Sequence, residues 1–299
     1  MSHPPLIAII LNPVSGPTRT RGAEWDWLEE LAREAGWEPR IFLSEGEGHI
    51  EALAREAITQ GIRRVVVMGG DGSINEALQA LAGTEVELGI IPGGTSNILA
   101  NELALPADFQ AAARVAFQGK VMAIDVGKAN GRYFALMVGI GYDAVTVISM
   151  WPQLKRLAGQ MAYTLAGIQA FVSHRATRMT IRVDGGKRLR RLVYMLVVAN
   201  TRLYGRSNAS VAEHADVRDG YFDLCVFRTR SWYHVIFGLI RVLLRVPTRF
   251  SRIETLHCRQ VEIRSARPVP YQLDGDLRGV LPLTVEMCPQ ALRVVVSAS

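Results

Sequence analysis

The sequence predicts an α/β protein in two parts, a parallel-sheet domain followed by a domain of mainly antiparallel strands. Three observations carry that reading. Short, continuous apolar runs alternate with amphipathic helical patterns over about the first 125 residues. Three of those runs lead into Gly-containing turns, "NPVSG", "GGDGS" and "PGGTSN", before a helical pattern begins. After "VMAIDVGKANGRYF" the texture changes to closely spaced β-rich runs.

The elements follow in order. "LIAIIL" is the first apolar run, and the helical pattern after it sets Trp25, Leu28, Leu31, Ala32 and Ala35 on one face. "RVVVM" passes through "GGDGS" into a helix with Ile74, Ala77, Leu78 and Leu81 on one face. "ELGIIP" passes through "GGTSN" into another helix through Leu99 and Leu103. Strands without polar alternation are buried on both faces, as in a parallel sheet covered by helices. Ligands bind such sheets beyond the carboxyl ends of the strands, so the three turns are expected on one edge. Beyond about residue 125, "RYFALMVGIG", "TIRVDG", "RRLVYMLVVAN", "YFDLCVF", "QVEIRS", "VPYQLDGD", "LPLTVEMC" and "LRVVV" read as strands, interrupted by helical stretches near 153–173 and 231–246.

With 299 residues, 49% of them hydrophobic, the chain can bury a substantial core in one large or two ordinary domains. Its net charge of +6 favours anionic partners: nucleotide phosphates, acidic lipid surfaces or nucleic acid. Cys225, Cys258 and Cys288 lie far apart without CxxC spacing, which suggests neither zinc nor a disulfide framework and fits a reducing cytosolic compartment. The Leu6–Leu11 run has no basic flank and stops at Asn-Pro, so it reads as a strand and not as a signal peptide. "WYHVIFGLIRVLLRVP" is interrupted by Arg241 and Arg245 and is shorter than the roughly 20 residues of a membrane span. His49, His174, His214, His234 and His257 have no ligand-like spacing.

"VVVMGGDGSINEAL" places Asp71 among three glycines where a buried strand turns into a helix. Glycines there permit positive φ and close approach to the backbone, and their N–H groups can form an anion-binding nest. Ser73 and Glu76 have capping-box spacing, which puts the helix start at Ser73. The loop lacks GxxxxGK[ST], and no GxGxxG occupies the first βαβ unit, so neither a Walker nor a Rossmann site is indicated. Asp71 could serve a metal-bridged phosphate or an attacking hydroxyl, both roles in phosphoryl transfer. A tight turn with a capped helix is the plain structural alternative.

The ordered set "NPVSG", "GGDGSINEAL" and "PGGTSN", continued by "DVGKANGRYFALMVGIGYDA", "VANTRLYGRSNASVAEHADVRDGYFDL", "YQLDGD" and "CPQALRVVV", resembles the diacylglycerol kinase catalytic-domain family. The likeness is to the bacterial soluble lipid kinases related to diacylglycerol, phosphatidylglycerol and sphingosine kinases, and it covers nearly the whole chain. It implies an NAD kinase/diacylglycerol kinase-like α/β domain over residues 1–125 that binds ATP, with the tail from about 290 free to rejoin it. It implies a β-sandwich domain over 126–299 for lipid substrate and Mg2+. Nucleotide contacts fall by resemblance on Asn12, Pro13, Val14, Ser15, Gly16, Ser44, Gly70, Asp71, Gly72, Ser73, Ile74, Asn75, Glu76 and Thr95. Ser44 replaces the usual Thr, and Ile98 replaces the Asp of the family's GTxND motif after the matching Asn97. The magnesium positions are Asp216, Asp219 and Tyr221, partly through main-chain oxygens, in a stretch where Glu213 replaces a Pro. The family's final Glu, taken as proton acceptor, is Asp276 here, with Asp274 beside it as helper and Asp71 positioning metal or nucleophile.

The expected function is therefore transfer of the ATP γ-phosphoryl group to a hydroxyl of a lipid such as diacylglycerol. The protein would be cytoplasmic, peripheral at the inner membrane face, with no nucleic-acid partner; a homodimer stays open. Residues 232–246 read either as an interfacial helix or as a cover for the β-domain, and Lys155 and Arg156 face either acidic lipid or water. Two alternatives stand beside it. A kinase of a soluble acceptor would also use a GGDG turn, as NAD kinases do. A non-catalytic nucleotide- or lipid-binding module would account for the departures at Ile98, Glu213 and Asp276.

Overall fold

The computed structural model describes residues 4–13, 23–141, 144, 176–203, 212–227 and 253–298. The chain divides into two compact units, residues 1–126 with 288–299 and residues 127–287. The helical stretches expected near 153–173 and 231–246 lie outside the described residues.

In the first unit β1 (Leu6–Leu11) lies between β2 (Glu38–Leu43) and β3 (Arg64–Gly69), and β4 (Glu87–Pro92) follows β3, all parallel. Ile7 to Leu11 and Val65 to Val67 are fully buried, as central strands covered on both faces must be. On one face Ile7, Ile9, Leu11 and Val66 meet α1 (Ala23–Glu34) and α5 (Phe109–Gln118) through Leu28, Leu31, Ala113 and Phe117. Alternation turns Ala8, Ile10, Val65 and Val67 the other way, where α2 (His49–Thr59) and α3 (Asp71–Leu81) pack on β1 and β3. The buried Arg64 is paired with Glu87 at 2.6 Å and donates to the Ala116 and Phe117 carbonyls at the end of α5. Gly69 sits opposite Pro92, and Leu11 opposite Met68, so the turns after β1, β3 and β4 share one edge.

Beyond α4 (Ile98–Glu102), β5 (Lys120–Ala129) forms a hairpin with β6 (Arg132–Phe134) and carries the chain into the second unit. That unit is a β-sandwich. One sheet has β7 (Met137–Gly141), β10 (Met195–Ala199), β11 (Phe222–Phe227), β12 (Ile253–Cys258), β14 (Pro270–Leu273) and β15 (Asp276–Val280), in the order β12-β11-β10-β7-β14-β15. The other has β8 (Thr177–Val183), β9 (Arg188–Val193), β13 (Gln260–Ser265) and the start of β16 (Leu283–Val296). Met179, Ile181, Val193, Val261 and Ile263 of this sheet share a core with Val138, Ile140, Leu196, Val198 and Leu224 of the first.

Strand limits differ from the sequence reading in three places. "RYFALMVGIG" is two strands, β6 and β7, and "RRLVYMLVVAN" breaks at Tyr194 into β9 and β10 of opposite sheets. Conversely "LPLTVEMC" and "LRVVV" are one strand, β16, antiparallel to β13 at its start and parallel to β4 at its end. Cys225 and Cys258 are buried thiols pushed up to about 12 by desolvation.

Candidate active site

The first unit gathers three glycine-bearing turns at the carboxyl edge of its sheet. Two of them pack backbone on backbone: Gly93 N–H donates to Gly69 O at 2.8 Å, and a Cβ on Gly94 would lie 2.5 Å from Gly70 Cα. That contact, more than turn geometry, requires glycine at both positions. Asn97, at φ 48, closes the second turn by accepting from Gly94 N–H and donating to Gly94 O, both at 2.9 Å. Gly72, Gly94 and Thr95 remain exposed. The first-turn N–H groups of a helix have no carbonyl behind them; in α3 the first to find one is Ile74, 3.2 Å from Gly70 O.

Asp71 does not lie free in this edge. Its Oδ1 accepts from Ile98 N–H at 2.6 Å, so the carboxylate caps α4 across the two turns. Burial raises its pKa, against the lowering effect of N–H groups at Ile98, Leu99 and Asn97 and its own. The capping-box expectation is corrected. The N-cap of α3 is Gly70, without a side-chain cap bond. Ser73 Oγ accepts instead from Asn12 Nδ2 at 2.9 Å, tying the end of β1 to α3, and Glu76 accepts from Ile50 N–H at 3.1 Å, serving α2. Ser73, Ile74 and Asn75 are buried and Ser44 Oγ donates to Gly46 O, so these side chains are committed to the protein. Pro13 is exposed; Val14, Ser15 and Gly16 lie outside the described residues.

In the second unit the two acids of "LDGD" have opposite surroundings. Asp274, at φ 49, accepts from the Ala135, Leu136 and Met137 N–H groups at 2.8, 2.9 and 2.9 Å. The same segment is clamped from the other side by buried Asn200, whose Nδ2 donates to Ala135 O at 2.7 Å. Asp274 is thus a structural acceptor that fixes the approach to β7. Asp276 begins β15 with its side chain half exposed; Arg278 Nη2 holds Oδ2 at 2.9 Å, and Oδ1 has no partner among the described residues. The sequence reading of Asp274 as an auxiliary base meets a carboxylate that already accepts three backbone N–H bonds.

In the 216–221 loop Asp216 accepts from Arg218 N–H at 3.0 Å and Asp219 from Tyr221 N–H at 2.8 Å, each through one oxygen. The Tyr221 ring lies under the Arg259 guanidinium, 4.5 Å away. Among the described residues no group of three His, Cys, Asp or Glu side chains could hold a metal alone. The oxygen donors fit magnesium, which keeps several waters and accepts carbonyls beside one or two carboxylates.

Three polar groups were not marked in the sequence. Asp125 is buried on β5 and accepts from Gln290 N–H at 2.7 Å. Asp223 is buried on β11, its Oδ1 2.9 Å from His257 Nδ1, with its pKa raised by burial. Arg278 is the third. An Asp inside an otherwise apolar strand, as in "YFDLCVF", was the available signal for the first two.

A parallel sheet with glycine turns gathered on one edge and a β-sandwich unit define a fold, and comparison with known proteins supplies the class. The family model "Diacylglycerol kinase catalytic domain" matches residues 6–129, and "YegS C-terminal NAD kinase beta sandwich-like domain" matches residues 136–296. The chain is 28% identical to a diacylglycerol kinase of Bacillus subtilis, over 92% of this chain and 90% of that protein. It is 32% identical to the "Probable lipid kinase YegS-like" of Chromohalobacter salexigens, over 82% and 79%. A crystal structure of a diacylglycerol kinase from Bacillus anthracis shares the fold, with a TM-score of 0.73 at 19% identity over 99% of this chain and 98% of that one. The chain belongs to the diacylglycerol kinase family, with a YegS-type C-terminal domain, and is by class a lipid kinase. No helix among the described residues is long and apolar enough to cross a membrane.

Proposed function

We propose that the protein transfers the γ-phosphoryl group of ATP to a hydroxyl of a membrane lipid such as diacylglycerol, and that the acceptor is deprotonated by Asp276. The observation that carries this reading is the division of labour in "LDGD". Asp274 spends its oxygens on three backbone N–H groups, while Asp276 presents an open Oδ1 at the start of an edge strand. A general base must reach its proton at hydrogen-bond distance, and the more open surroundings of the second acid favour it for that role. Arg278, bonded to Oδ2, restrains the carboxylate.

On the nucleotide side, the accessible backbone of Gly70, Gly72 and Gly94, the first-turn N–H groups of α3 and the Thr95 hydroxyl are the groups offered to phosphate oxygens. Asn12 and Ser44 act from behind, holding β1 to α3 and shaping the loop after β2. Asp71 fixes α4 against α3 and so sets the spacing of the two glycine turns. The 216–221 loop is the candidate magnesium holder, through the second oxygens of Asp216 and Asp219, which have no partner among the described residues, and the Tyr221 carbonyl. When bound, ATP supplies the phosphoryl group and magnesium the charge that offsets the phosphates.

The test is radiolabelled phosphoryl transfer from ATP to a mixed lipid extract, with NAD and sugar phosphates as parallel acceptors. Label in an acidic phospholipid is the expected outcome. Label in NAD alone would assign a soluble acceptor, and ATP binding without transfer to any acceptor would leave a binding module.

A further inference from the structure

The outward face of β8, β9 and β13 carries an arginine field that the proposed chemistry does not use. Register places it there: Arg178 opposes Leu192, Thr180 opposes Arg190 and Arg182 opposes Arg188, while on β13 Glu262 opposes Arg182 and Arg264 opposes Thr180. Side chains alternate along a strand, and the intervening Met179, Ile181, Val193, Val261 and Ile263 are in the sandwich core. Five arginines therefore share one face with Glu262, which already serves Arg182 at 3.4 Å and Arg264 at 3.7 Å, and with Glu286 on the neighbouring β16, which accepts from Gln260 at 3.1 Å. Arg178, Arg188 and Arg190 are exposed and have no carboxylate partner among the described residues.

Like charges on directly opposed positions destabilise a sheet, and Arg182 faces Arg188 across the β8–β9 pair. Charged residues do guard edge strands against pairing, which would explain β9, the last strand of its sheet. It would not explain Arg178 on β8 or Arg264 on β13. Leu192, 51% exposed, stands beside Arg178 in the same field. A cationic sheet face with an exposed apolar side chain, and no aromatic ring at those positions for base stacking, fits a lipid headgroup surface better than nucleic acid.

We propose that this face docks the protein on an anionic bilayer, with Arg178, Arg188 and Arg190 at the headgroups and Leu192 dipping among them. The choice of a bilayer rests on the lipid-kinase reading, because that substrate lies in a membrane. The experiment measures co-sedimentation with phosphatidylcholine vesicles with and without phosphatidylglycerol. Each cation near such a surface contributes about fivefold in affinity, so Arg178→Gln/Arg188→Gln/Arg190→Gln should weaken binding to the anionic vesicles on the order of 100-fold and flatten its salt dependence. Leu192→Ser should weaken it several-fold more. Arg33→Gln/Arg40→Gln/Arg55→Gln, with the same change in net charge in the first unit, should bind like the parent. The single Arg190→Glu, at an exposed position, repeats the test if the triple variant melts early.

Unchanged binding of Arg190→Glu and the triple variant, equal loss in the control, or no preference of the parent for phosphatidylglycerol overturns the proposal. So does tighter binding of the parent to a DNA duplex than to the vesicles at the same salt. Phosphorylation of a short-chain, monomeric diacylglycerol separates the two readings: the triple variant should retain it. A parent that binds vesicles through these arginines but phosphorylates no lipid refutes the kinase reading and leaves the surface standing.

Discussion

The GGDG turn of the first unit and the LDGD hairpin of the β-sandwich are alike in sequence, each an acid beside a glycine at the end of a buried strand. They are built differently. In the turn, one carboxylate spans two loops: Asp71 belongs to α3 and caps α4 through Ile98. In the hairpin, two carboxylates two residues apart separate into a backbone clamp, Asp274, and an open acid, Asp276. An acid in a glycine context marks a place where the backbone is accessible. Its role depends on which N–H groups point at it.

The largest expected effect comes from breaking the open acid. Asp276→Asn should lower turnover by about 10²-fold or more, within the range of general base catalysis, with ATP affinity and melting temperature barely altered. Asp276→Glu keeps the carboxylate and should keep substantial activity. Full turnover by Asp276→Asn at saturating ATP and lipid would remove the residue from the mechanism.

Breaking the clamp should register in stability instead. Asparagine at 274 turns a donor toward the N–H of Ala135 or of Leu136 and Met137, where the carboxylate now accepts from all three. Losing a charge-assisted bond and facing two donors should cost roughly 2–3 kcal/mol, read by denaturant unfolding. Asp274→Asn at parental stability but without activity would transfer the base to Asp274.

The strands of the first unit were legible because full burial on both faces leaves continuous apolar runs, as in residues 65–67. The unity of β16 was not, because Pro289-Gln290 reads as a break. The strand continues because Gln290 adopts φ 51 and its N–H is taken by Asp125, 165 positions away. The acids and glycines of the candidate site could be picked out one by one. Their partners could not: Ser73 turning to Asn12, Glu76 to Ile50 and Asp274 to Ala135 are contacts between segments far apart in sequence. Local spacing instead suggests a capping box that the chain does not form.

The smallest effect, within about 1 kcal/mol, tests the direction in which its surroundings move the pKa of Asp71. Burial raises its pKa in the folded chain above the unfolded value. Stability linked to its proton is therefore complete below the ordinary carboxylate range and is lost as pH rises through the raised value. Asparagine keeps an oxygen for the Ile98 N–H and has no charge to bury. Thermal melts of Asp71→Asn and the parent should be close at acid pH, and the variant should gain on the parent as pH rises toward neutrality. If the parent gains instead, the N–H groups of Asn97, Ile98 and Leu99 outweigh burial and the pKa is lowered. The distinction bears on chemistry as well as folding. A charged carboxylate can face a metal-bridged phosphate while it accepts the Ile98 N–H, whereas a protonated one still accepts that N–H through its carbonyl oxygen, keeps the two glycine turns in place and adds an O–H donor.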